Sequence, residues 1–138
     1  FNGIQPNTSG TNDQYRQGAS VVATNQAGAP GGIWQFALDM DNRKMWLGYN
    51  GTYAGSGNPG AGSNETWNST YIASDSYTPI NLGYQISAHS ILTYNFGQDS
   101  TFSGATTAGG NSDGNGIGNF KYSVPSGFLA LCTKNLGS

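Results

Sequence analysis

The groups able to do acid–base, nucleophilic or metal chemistry are few: His89, Cys132, and the acids Asp13, Asp39, Asp41, Glu65, Asp75, Asp99 and Asp113. Serine is plentiful, so a Ser/His/Asp triad around His89 is conceivable on paper. No nucleophile elbow, which needs a strand before the serine and a helix after it, supports one. Cys132 lies in an apolar run, where a thiol behaves as a small hydrophobe. Asp39 and Asp41, two apart, could pair as acid and base across a glycosidic bond. Asp41 opens a turn, however, and Asx side chains at turns cap free backbone N–H groups. In Asn111-Ser112-Asp113-Gly114-Asn115-Gly116, oxygen donors at positions one, three and five imitate the start of a calcium loop. Tyr122 stands at position twelve, where a bidentate acid belongs, so a plain Gly/Asn loop is the expectation. This inventory predicts no catalytic residue, no metal site and no cofactor.

Binding has better raw material. Tyr53, Trp67, Tyr71 and Tyr77 sit in or beside turn-rich segments, with Asn64, Asn68 and Asp75 close by. Aromatic faces stack on sugar C–H surfaces or anchor protein interfaces, and amides fix orientation. Tyr53, Asn64, Trp67 and Tyr71 are therefore the expected ligand-binding residues. The competing reading is that such aromatics simply cover a hydrophobic core. Sequons start at Asn7, Asn50, Asn64 and Asn68, and chance matches are expected where Asn, Ser and Thr abound.

These residues must be held by strands. The chain has 138 residues, room for one domain spanning 1–138 with one core. Only 9% of residues are charged, against roughly a quarter in ordinary soluble proteins. Three Trp, eight Tyr and six Phe argue against disorder. In 33–40, Trp34, Phe36, Leu38 and Met40 alternate onto one face. After Asp41-Asn42-Arg43-Lys44, the residues Met45, Leu47 and Tyr49 do the same. Alternation on both sides of a polar turn is the signature of a β-hairpin, with these residues facing the core. Asn50-Gly51 then supplies a turn dipeptide suited to positive φ. Further short strands are expected at 19–24, 66–72, 77–82 and 91–96. A buried strand is expected at 128–133, apolar on both faces. Segments 52–63 and 103–119 read as Gly/Asn loops. No helical periodicity of useful length occurs, and all-β is the economical fold.

The net charge of −2, with no run of Lys or Arg, leaves no source for the counterion release that drives nucleic-acid binding. No stretch approaches the roughly 18 apolar residues needed for membrane insertion as a helix. A single cysteine cannot form an internal disulfide, which leaves the redox compartment open.

Three blocks carry a family resemblance. FALDMDNRKMWLGYNGTY (36–53) resembles the central hairpin of SPRY (B30.2-like) domains, YNFGQDSTF (94–102) a later strand, and VPSGFLALCTKNL (124–136) the closing strand. Their wording, with long loops such as TAGGNSDGNGIGNFKY (107–122), is similar to SPRY-like domains of tailed bacteriophages and marine viruses. The resemblance implies a bent antiparallel β-sandwich whose loops at one edge form a recognition surface. The family's opening strand, rich in Trp and Tyr, has no counterpart here. The expectation is that the first strands lie upstream or the fold is trimmed. In function, the resemblance implies a non-catalytic bacteriophage virion module at the particle surface, on a tail fibre or capsid. One form would bind a host surface glycan or protein. The alternative is a capsid-decoration or tail-assembly protein packing on other virion proteins or on copies of itself.

Overall fold

The computed structural model describes residues 2–5, 13–17, 20–26, 31–74 and 93–136 of the chain. Their regular structure is antiparallel strand, with three single-turn 3₁₀ segments and no α-helix, so the chain is all-β. A first meander joins β1 (Asn2–Gln5), β2 (Asp13–Gln17) and β3 (Ser20–Gln26). β3 matches the strand expected at 19–24. β1 and β2 were not expected, because Asn-Gly-Ile-Gln and Asp-Gln-Tyr-Arg-Gln lack an apolar alternation to announce a strand. Antiparallel pairing, with Ile4 opposite Tyr15 and Tyr15 opposite Ala23 and with two register shifts between β2 and β3, makes them strands.

The second sheet is the expected hairpin, β4 (Trp34–Asp39) and β5 (Lys44–Tyr49), extended by β6 (Thr52–Tyr53). Asp39 closes the β4–β5 turn: its two oxygens accept from the Asn42 backbone N–H at 2.9 Å and the Asn42 amide at 2.8 Å. Asn50 and Gly51 take φ of 47° and 89° and join β5 to β6 as a two-residue turn with both central φ positive. The Asn50 side chain also accepts from the Ile33 N–H at 2.9 Å.

The main core cluster lies on the expected face of β5 but does not extend across the far part of β4. Leu47, Trp67 and Ile72 are fully buried, with Trp34, Met45, Ala54 and Tyr71 packed around them. Phe36, Leu38 and Met40, expected inside, are exposed, Phe36 by 55%. The register explains this. Leu38 stands opposite Met45, and Met45 bridges to Trp67 on its other side. Residues 66–72 thus cover β5 and stop short of β4. Across the row Leu38–Met45–Trp67 exposure falls from 40% at Leu38 to none at Trp67. On the opposite face Ala37 and Trp46 are buried. Trp46 donates to the Ser63 carbonyl at 2.8 Å and meets Phe128 edge-on at 5.9 Å.

Two expected strands are absent as strands. Within 66–72 only Trp67 pairs. Asn68 then folds the chain back, its side chain accepting from Thr70 N–H and its carbonyl from Tyr71 and Ile72 N–H. In 128–133 the Ala130 N–H goes to the Asp113 carboxylate and the Cys132 N–H to the Ala130 carbonyl. A side chain and a tight turn have taken the donors a ladder needs. Only Ala130 is buried there, while Leu129 and Leu131 are exposed and Cys132 is half-buried. Residues 77–82 and 91–92 lie outside the described residues, and 93–96 form no strand.

Candidate functional site

The four expected binding residues do not assemble into one surface. Tyr53 on β6 stands opposite Gly48, which stands opposite Gln35, so these three share the Trp46 face of the sheet. A side chain at 48 would meet the Gln35 side chain at 2.9 Å. Without one, Gln35 reaches across to the Tyr53 hydroxyl and to the Gly51 N–H at 2.9 Å. Burial pushes the Tyr53 phenol pKa up, against the opposing Gln35 hydrogen bond. Trp67 and Tyr71 belong to the other face. Trp67 is wholly enclosed, which corrects its assignment as a contact residue: a ring with no exposed surface cannot stack on a ligand. Tyr71 is half-buried against the same cluster. Asn64 is exposed, but its amide donates to the Ser56 carbonyl at 3.1 Å and closes the 56–64 loop. Asp75, Tyr77 and His89 lie outside the described residues.

Asp39, Asp99 and Asp113 serve the backbone. Asp99 accepts from Thr101 N–H and Ser103 N–H, both at 2.8 Å, and from the Thr101 hydroxyl at 2.7 Å. These bonds, the Thr101 hydroxyl first, hold its pKa below the ordinary carboxylate value. Asp113 accepts four hydrogen bonds: Asn115 and Ile117 N–H on Oδ1, and Ala130 N–H and the Asn135 amide on Oδ2. A carboxylate offers about four acceptor positions, so the protein itself fills this one. Of the other donors in the calcium-like string, Asn111 turns its amide onto the carbonyls of Gly109, Phe120 and Lys121, and Asn115 turns its own onto Asn135. Gly110-Asn111-Ser112-Asp113-Gly114 also spells G-x-S-x-G, yet it lies in a loop with no helix after the serine. Glu65 pairs with Lys44 at 3.5 Å.

An aromatic pair within the segment expected as a strand at 91–96 is on the surface. Tyr94 and Phe96 are 47% and 39% exposed, their rings 6.1 Å apart and parallel within 3°. The backbone beneath them is pinned by amides. Gln98 accepts from Phe96 N–H and donates to the Tyr94 carbonyl, both at 2.6 Å. Asn95 accepts from Gly97 and Asp99 N–H and donates to the Asn119 carbonyl at 2.9 Å. The stacked rings therefore sit, half exposed, on a turn held from two sides by neutral amides. Asx and Gln residues interleaved with the aromatics were the signal available in the sequence. With this geometry in view, no family model, curated protein or solved structure gives a significant match to the chain.

Proposed function

We propose that the chain is a non-catalytic recognition module, a SPRY-type bent β-sandwich on a virion surface, that takes a neutral host-surface glycan on Tyr94 and Phe96. The observation carrying this reading is the parallel, exposed ring pair on an amide-pinned turn. Each exposed ring offers its own apolar face to sugar C–H groups, and pinning the turn lowers the entropy cost of ordering them on binding. The absence of catalysis is supported by Asp39, Asp99 and Asp113, whose oxygens are engaged by N–H and O–H donors of the protein itself. The two antiparallel sheets supply the elements that a sandwich needs.

The test is a neutral-glycan array probed with the wild-type chain and with the double variant Tyr94→Ala/Phe96→Ala. Both rings are exposed, so the variant should keep its circular dichroism and lose array binding by about tenfold or more. A folded variant that binds like wild type would remove the ring pair from the proposal.

A second reading, a structural module packing on other virion chains, is favoured by the outward apolar residues Phe36 and Leu38 of β4 and Met40 of the turn that follows it. It expects wild-type protein that associates with itself or with virion chains and binds nothing on the array.

A further inference from the structure

Asp113 is the one buried acid in 31–74 and 93–136, and its four donors come from two segments distant in sequence. Oδ1 takes the N–H groups of Asn115 and Ile117, both at 2.9 Å, which winds the 111–120 loop around it. Oδ2 takes Ala130 N–H at 2.9 Å and the Asn135 amide at 2.8 Å, both from the C-terminal segment. Asn135 completes the joint by donating to the Ala130 carbonyl and accepting from Asn115. Among the described residues the segment has little else to hold it. Ala130 is its one buried side chain, while Leu129, Leu131 and Leu136 face outward, Leu136 by 76%. Burying one methyl group is a weak anchor beside two bonds to a carboxylate.

We infer that Asp113 is a clasp: it locks residues 129–136 onto the loop, and without it they come away as a leucine-bearing strap while the second sheet stays folded. The chemistry requires a carboxylate. An asparagine of the same shape has one acceptor oxygen, so its NH₂ group must face a pair of N–H donors, on the loop side or on the strap side. Asp113→Asn thus opens one half of the clasp without leaving a cavity. Asn135→Ala removes a strap donor and spares the loop side. Cys132, half-buried within the strap, is a built-in reporter of release.

The experiment is amide hydrogen exchange by NMR on the full 138-residue chain and both variants, paired with the rate of Cys132 alkylation by iodoacetamide. In Asp113→Asn, exchange at Ala130 and the alkylation rate should rise by about tenfold or more, with the Leu47 amide of β5 within about twofold of wild type. In Asn135→Ala, Ala130 should exchange faster while Ile117 keeps its protection. Wild-type protection of Ala130 in both variants would overturn the clasp. So would Leu47 rising in step with Ala130 in both, since Asp113 would then stabilise the whole fold rather than one segment. If Asp113→Asn fails to fold, Asn135→Ala decides alone by the same two amides.

Discussion

At Asp113 the carboxyl is held down to about 2, first by the Ala130 backbone N–H and then by the Ile117, Asn135 and Asn115 donors, against the opposing effect of burial. Because the folded value lies below the ordinary 3.8, the group's contribution to stability is fully present above that value. It is lost as pH falls through about 2. Signals of the C-terminal segment should therefore persist at about pH 4 and collapse near the lower value in an NMR pH titration, whereas Asp113→Asn should show no such step. Trp67 makes the second prediction at this scale. Its ring is entirely enclosed, so Trp67→Ala should cost about 3–5 kcal/mol in a urea denaturation series, as truncation of a core aromatic does. A ligand-contact tryptophan would instead leave the midpoint near wild type. That an Asx side chain caps the β4–β5 turn was readable in the sequence. The residue expected to open the turn was Asp41, whereas Asp39 at the end of β4 accepts from the Asn42 N–H. The fate of Trp67 was not readable, because a turn-flanked tryptophan looks alike whether it covers a core or faces a ligand.

Among the elements, the β4–β5–β6 unit was legible because three local rules agree there: period-two alternation, a polar turn and Asn50-Gly51. Gly51 has φ of +89° and lies against the Tyr122 ring, 3.0 Å from where a side chain would begin. Gly51→Ala should destabilise the fold by about 1–2 kcal/mol through backbone strain alone, measurable as a lower urea midpoint. The loops were read as featureless, yet they repeat one motif. Asn95, Asp99 and Asp113 each accept from the N–H groups two and four residues onward: Gly97 and Asp99, Thr101 and Ser103, Asn115 and Ile117. Each side chain thereby satisfies two backbone donors that no strand ladder reaches. This is how 93–121 stays ordered with little apolar burial. The 128–133 segment was misread for the converse reason. Its apolar composition fits a buried strand, but Asp113, seventeen residues away, had claimed the Ala130 N–H.

For the molecule as a whole, a net charge of −2 leaves little long-range field to steer or hold a charged partner. Binding to a neutral glycan should therefore change less than about twofold between low salt and about 0.5 M NaCl, whereas steep weakening would point to a charged ligand. Size-exclusion chromatography with light scattering on the same sample separates the two functional readings. A monomer that binds glycan fits recognition; a self-associating chain that ignores glycans fits the structural module. By itself the sequence determined the all-β class, the central hairpin, the Asn-Gly turn and the long amide-rich loops, because strand periodicity and turn chemistry are written within a few neighbouring residues. The tertiary structure alone decided which apolar residues are inside. Phe36 and Leu47 are paired neighbours on one face, yet one is exposed and the other enclosed, because only β5 is covered by the chain that returns through Trp67. It also decided that Tyr94 and Phe96 face outward, and that Asp113 joins a loop to the C-terminal segment. Those outcomes depend on contacts between residues far apart in the chain, and no local pattern encodes which distant partner arrives.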